Sequence, residues 1–579
     1  MLRRRRRGSP APFFHIRRKE TIMSQKNPNT AEMMVRCLEE EGVEYIFGIP
    51  GEENMELIHA LQDSSIRFIT TRHEQGAAFM ADVYGRLTGK AGVCLATLGP
   101  GAANLVTGVA DADEDGAPLV AITGQVGTER MHLTSHQYLD LQTLFEPITK
   151  RTQQVVRPDN VSEIVRTAFK VAESEKPGAC HIDLPVNISK MPVGAGEEPM
   201  KKTTPPVEYA SLDKVVEAAM LISEAKAPVI LLGASAVRAK ASVAITEFVN
   251  YSCIPTVNTM MAKGVLSFQN PYSIGTVGIP QHDYPDKALE DADLVIAIGY
   301  DLVEYAPTKW NSDRRRRIIH VDSTPANINK LYQPEVEVVG DISTSVRWLT
   351  DRVHRTAPAR YDKSLRERML AEYSDLAQDS GFPVKPQRIV SSIREVMGAE
   401  DIVICDVGAH KMWMARQYPC YRPNTCIISN GFATMGIAVP GAVSAKLINP
   451  DRKVLAVTGD GGFMMNSQEL ETAMRIGANI VVLIFDDCSY GLIKWKQLDQ
   501  YGSYSNVDFG PIDYVKYAEA FGGKGYRIEK ADDLIPALED AFLQDVPCII
   551  DCPVDYGENE KLTQQLAAFQ QEEKESSSS

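Results

Sequence analysis

Short apolar runs alternate with amphipathic helical patterns in three stretches of similar length, which predicts an α/β protein of three doubly wound parallel-sheet domains. Two further observations agree. The chain has 579 residues, room for three or four domains, and its 44% hydrophobic and 24% charged content suits sizeable buried cores. Proline-bearing and charged segments separate the three stretches.

In chain order, a helix over 31–41 leads to a strand over 45–49. An amphipathic helix (55–61), a strand (67–70), a helix (75–88) and a strand (92–97) follow, and Gly99-Pro100-Gly101 opens another helix. Together these make an N-terminal domain, 24–190. The stretch 191–206 reads as a linker. A central domain, 207–350, repeats the alternation, with strands over 228–232, 255–258, 294–298 and 318–321. The charged segment 358–382 leads to a third domain, 383–560, with strands over 402–405, 454–458, 480–485 and 548–551. Continuous short apolar runs are the pattern of strands buried on both faces.

The ends differ from the body. Residues 1–23 form a basic leader that opens Met1-Leu2-Arg3-Arg4-Arg5-Arg6-Arg7 and holds one acid, Glu20. It lacks the apolar core of a secretory signal. It reads as a disordered tail ahead of a second start at Met23-Ser24, with organelle targeting as the alternative. The polar run 566–579 is expected to be a disordered tail.

A net charge of −15 disfavours nucleic acid partners. No run of 18 apolar residues exists to cross a membrane. The ten cysteines include no Cys-x-x-Cys pair, so neither a disulfide framework nor a zinc site is expected, and a cytoplasmic setting fits.

The strongest chemical signal lies in the third domain. The apolar strand over 454–458 runs into Gly459-Asp460-Gly461-Gly462-Phe463, with a helix expected from about Ser467. Glycines let backbone approach a ligand, and helix N-terminal amides favour anions such as diphosphate. One strand later comes Asp486-Asp487-Cys488-Ser489-Tyr490, placing a second carboxylate at a strand end, where oxygen ligands suit magnesium. Alone, Gly-Asp-Gly is a turn with a solvated aspartate; Asp487 makes the pair specific. Glu74, in His73-Glu74-Gln75-Gly76-Ala77-Ala78-Phe79-Met80-Ala81, follows a strand and starts a helix. On position alone it would complement the helix dipole.

These motifs resemble the thiamine-diphosphate enzymes. The departure is Asp486-Asp487 where the family has an Asn pair; an oxygen ligand is retained. The resemblance implies that Asp460 and Asp487 hold Mg2+ with side chains and Ser489 with its carbonyl. It implies that Gly461 and Gly462 border the diphosphate, and that Glu74 activates the coenzyme through its aminopyrimidine ring. Phe47-Gly48-Ile49-Pro50-Gly51 and Gly99-Pro100-Gly101-Ala102-Ala103-Asn104 supply Pro50 and Asn104 beside that ring.

The resemblance spans nearly all of 24–565 and sharpens toward acetolactate synthases. Ser135-His136-Gln137-Tyr138-Leu139-Asp140 is similar to their substrate-side loop, which implies a catalytic role for Gln137; the alternative is a loop amide in solvent. Cys405-Asp406-Val407-Gly408-Ala409-His410 supplies Gly408 and His410 as cofactor-binding positions. Met435, in Asn430-Gly431-Phe432-Ala433-Thr434-Met435-Gly436, is the large residue that props the coenzyme, and equally a core methionine.

The implied reaction is decarboxylation of pyruvate and its ligation to a second 2-oxo acid, giving 2-acetolactate. The alternative is another thiamine-diphosphate-dependent decarboxylase or carboligase, acting for example on glyoxylate or an acyl-CoA. FAD is left open but not favoured. Gly299-Tyr300-Asp301-Leu302-Val303-Glu304-Tyr305 and 507–519 look flavin-free, while 431–436 looks closer to the flavin type. Leu232-Gly233-Ala234-Ser235-Ala236 lacks a dinucleotide fingerprint. The family places its cofactor between subunits, which implies a homodimer or homotetramer and leaves a small regulatory subunit open.

Overall fold

The computed structural model describes residues 27–204, 206–279, 282–354 and 363–578; the leader 1–23 lies outside the described residues. Each domain is built on one six-stranded parallel sheet. The first contains β1 (Tyr45–Gly48), β2 (Arg67–Thr70), β3 (Gly92–Ala96), β4 (Leu119–Gln125), β5 (Arg151–Gln154) and β6 (Ala179–Pro185), in the order β2-β1-β3-β4-β6-β5. The central sheet holds β7 (Pro228–Leu232), β8 (Thr256–Asn258), β9 (Ser273–Thr276), β10 (Leu294–Ile298), β11 (Arg317–Asp322) and β12 (Val336–Val339), in the order β12-β11-β10-β7-β8-β9. The third holds β13 (Ile402–Cys405), β14 (Cys426–Ile428), β15 (Val454–Gly459), β16 (Val481–Asp486), β17 (Lys524–Arg527) and β18 (Cys548–Pro553), in the order β14-β13-β15-β16-β18-β17.

Burial on both faces explains the apolar runs. Along β4, Leu119 and Ala121 enter one core while Val120 and Ile122 enter the opposite one. The core on the first of these faces is continuous with the third domain. Met80 and Val83 of helix Glu74–Thr88 share it with Ala438 and Ala442 of helix Ala438–Ile448. Gly441 permits the close approach, since a Cβ there would lie 2.9 Å from Val83 Cγ2. Ser444 Oγ adds a bond to the Met80 carbonyl at 2.8 Å. This seam sets the first domain against the third within one chain.

One expectation is corrected. The stretch expected to be a loose tail is helical as far as Ser578, within helix Gly557–Ser578. Leu562, Leu566 and Phe569, spaced four and three apart, form a buried stripe. Phe569 packs on Tyr284 of the central domain, ring centroids 4.9 Å apart. The polar composition hid that stripe. The helix expected from about Ser467 is Glu469–Ile476, and a separate short helix that went unread, Asp460–Asn466, precedes it. Two glycines in the first turn of the short helix depress helix propensity and mask the start. Among the described residues, no helix is long and apolar enough to cross a membrane.

Candidate active site

The candidate residues gather at the C-terminal edges of the first and third sheets, beside the points where strand order reverses. On the first sheet, Glu74 is the first residue of helix Glu74–Thr88. His73 caps that helix, its Nδ1 accepting from Gln75 N at 3.1 Å. A residue that the sequence reading missed braces the turn: the buried carboxylate of Glu469 accepts from the backbone amides of Arg72 and His73, both at 3.0 Å. Gly76 is required there, because a Cβ would lie 2.7 Å from Glu469 Oε1. No local signal marks Glu469, which sits 395 residues from Glu74 in the chain.

Glu74 is 8% exposed, and Asn104 Nδ2 donates to its Oε2 at 3.0 Å. Pro50 is exposed in the turn after β1, and the adjoining Gly51 fits directly against Thr97 after β3. Gln137 has a left-handed backbone (φ 58°) and an exposed side chain, and its carbonyl lies over Gly99. Pro50, Glu74, Asn104 and Gln137 therefore share one sheet edge.

On the third sheet, Gly408, His410, Met435, Asp460, Gly461, Gly462, Asp487 and Ser489 line a single cavity of about 160 Å³. Its floor is glycine because side chains would collide. A Cβ on Gly408 would lie 2.7 Å from the His410 ring, and one on Gly462 3.1 Å from Asp406. Burial drives the His410 pKa down to about 3, so its imidazole is neutral, and its buried Nε2 has no hydrogen-bond partner. An orphaned ring nitrogen over a glycine cradle fits an anionic group such as a phosphate.

The carboxylates crowd one another. Burial, then the charges of Asp487 and Asp486, raise Asp460 to about 8; burial raises Asp487 to about 6. Asp460, Asp486 and Cys488 can bring ligand atoms within 4.8 Å of one another, a set other than Asp460, Asp487 and Ser489. Two observations disfavour that set for a hard ion. Asp486 is paired with Arg527 at 3.1 Å, and the Cys488 thiol is pushed up to about 11 and stays protonated. Asp487 lines the cavity and accepts from Ser489 Oγ at 2.5 Å. A larger cavity, about 290 Å³, lies between the three domains beside Arg86 and Arg238 and carries none of the candidate residues.

Three family patterns match in register with the three sheets. They are the thiamine pyrophosphate enzyme N-terminal TPP binding domain (residues 28–146), central domain (215–349) and C-terminal TPP binding domain (406–552). The chain belongs to the thiamine pyrophosphate enzymes. It is an enzyme dependent on thiamine diphosphate, and its relatives narrow the branch. Acetolactate synthase of Bacillus subtilis (strain 168) is 39% identical over 543 residues, covering 92% of this chain and 94% of that one. The catabolic acetolactate synthase of Raoultella terrigena is 38% identical over 545 residues, covering 93% and 97%. A probable acetolactate synthase large subunit of Methanococcus aeolicus is 34% identical over 551 residues, covering 91% and 92%. Within this thiamine pyrophosphate enzyme, the cavity lining comes wholly from the third domain, and no first-domain residue reaches it. Glu74 is not among the residues that line it.

Proposed function

We propose that the protein is an acetolactate synthase, combining two pyruvates and a proton into 2-acetolactate and carbon dioxide. The observation that carries this reading is the coincidence of a complete glycine-and-aspartate cradle with near end-to-end similarity to acetolactate synthases. When bound, thiamine diphosphate supplies the electron sink for the departing carboxylate. Asp460 and Asp487 side chains and the Ser489 carbonyl hold Mg2+. Gly408, His410, Gly461 and Gly462 receive the diphosphate, and Met435 forms the wall beside it. Glu74, oriented by Asn104, sets its carboxyl next to the aminopyrimidine, with Pro50 alongside. Gln137 presents its exposed amide to the 2-oxo acid.

Glu74 and the cradle join when two copies of the chain pair, so the active form is at least a homodimer. Exposed apolar side chains flank both halves: Leu133 and Leu139 near Gln137, and Phe432, Met464, Tyr490 and Ile493 around the cradle. Such surface is costly to leave in water and suits a subunit boundary.

The enzyme works without FAD. At the end of β7, where a nucleotide phosphate would dock, the buried Glu304 carboxylate already accepts from Ala234 N at 3.0 Å and from Asp301 N at 3.1 Å. Thr259 Oγ1 donates to it at 2.5 Å. The chain's own carboxylate fills the anion position. All ten cysteines are free, which fits a reducing, cytoplasmic setting.

The test is incubation of purified protein with pyruvate, thiamine diphosphate and Mg2+, and no added flavin. Acetolactate is then read through its acid conversion to acetoin. Glu74→Gln should lower turnover by about a hundredfold or more while coenzyme still binds. A fully active Glu74→Gln enzyme would contradict the role assigned to Glu74. Coenzyme-loaded wild type that leaves pyruvate untouched would contradict the substrate.

A further inference from the structure

Helix Pro100–Glu114 of the first domain touches Glu74 at its N-terminal end through Asn104. Its other end carries Asp111 and, one residue past the helix, Asp115, both buried. Arg86 lies among three carboxylates, 2.6 Å from Asp82, 2.8 Å from Asp111 and 2.8 Å from Asp115. One guanidinium cannot satisfy the acceptors of three carboxylates, and the remaining donors come from the third domain. Ser429 Oγ donates to Asp111 Oδ1 at 2.6 Å, and Thr434 Oγ1 donates to the same oxygen. The backbone amides of Asn430 and Gly431 donate to Asp115 at 3.1 and 2.5 Å. Only glycine fits at 431, since a Cβ there would lie 2.5 Å from Asp115 Oδ1.

The segment so held, 429–436, is the one that brings Ala433 and Met435 into the cradle wall. Its other attachments also come from buried groups. Lys411 Nζ donates to the Ser429 carbonyl at 2.9 Å, and Asp406 Oδ1 accepts from Gly436 N at 2.8 Å. Asn430 Nδ2 reaches the Glu304 carbonyl of the central domain at 2.9 Å. Ala433 sits at φ 59°, a conformation that a residue with a Cβ keeps only when its surroundings impose it.

We propose that Asp111, Asp115 and Arg86 are positioning residues for the coenzyme: from the first domain they fix the 429–436 segment and thereby place Met435 in the cradle. The proposal rests on the reading of the cradle as the coenzyme site and deepens it. Charge-assisted bonds to backbone amides are about twice as strong as neutral ones, so replacing Asp115 by Asn weakens the anchor without changing its shape.

Direct calorimetric titration of thiamine diphosphate, with Mg2+ present, tests this on wild type, Asp115→Asn, Gly431→Ala and Val109→Ala. Val109 is buried in the same helix and faces the core, so its truncation reports packing loss alone. Asp115→Asn and Gly431→Ala should each weaken coenzyme binding about tenfold, the equivalent of ~1.4 kcal/mol. Val109→Ala should lower Tm while leaving that affinity unchanged. The double variant should lose less than the product of the singles, because both disturb one contact. If Asp115→Asn does not fold, Gly431→Ala decides. Wild-type affinity in either single variant that folds overturns the proposal, as does a binding loss that tracks Tm across all variants, Val109→Ala included. Wild type that fails to bind coenzyme overturns the cradle reading itself, and the proposal with it.

Discussion

His410 and Asp460 face one cavity with opposite electrostatic problems. Burial keeps His410 neutral, while Asp460 holds a proton until about pH 8 because it is buried and two carboxylates lie beside it. A divalent cation must displace that proton. Apparent Mg2+ affinity should therefore rise by about tenfold per pH unit between pH 6 and 8 and level off above. The sign follows from linkage: a raised carboxyl destabilises the metal-free fold as pH climbs, and the cation removes that cost. Mg2+ titrations across pH check this, and Asp460→Asn should flatten the slope. At this scale Asp460, Asp487 and Glu74 were legible because their neighbours in sequence form motifs. Glu469, Asp111 and Asp115 were not, since their partners lie hundreds of residues away and no local pattern records such a contact.

Elements were legible where both faces are buried. β7, β10 and β13 fall at the expected residues because apolar runs have one reading there. β5 (Arg151-Thr152-Gln153-Gln154) and β17 (Lys524–Arg527) were invisible: both are polar edge strands with neighbours on one side only. Helix Lys363–Asp375 was read as a charged connector for the same reason, its buried side being only Leu365 and Met369. Helix Gly557–Ser578 joins the third domain to the central one through a three-residue stripe, so its docking rests on few side chains. Leu566→Ala should lower stability by ~2–4 kcal/mol, measured by chemical denaturation. A Leu566→Ala protein as stable as wild type would contradict the stripe's role.

For the whole molecule, the apolar seam between helices Glu74–Thr88 and Ala438–Ile448 turns each chain's first domain onto its own third domain. On the proposed reading, Glu74 and the cradle of one copy each meet their counterpart on a second copy. No sequence pattern expresses this, because it depends on how sheets are oriented after folding; it entered the reading only through resemblance. Mixing two inactive variants tests it most directly. Glu74→Gln keeps an intact cradle, and Asp460→Asn keeps an intact glutamate. When the two are co-expressed in equal amounts, one site of each mixed dimer is whole, and acetolactate formation should recover to about a quarter of wild type. If both halves of a site came from one chain, every site in the mixture would carry a defect, and no recovery above the separate variants would contradict the account.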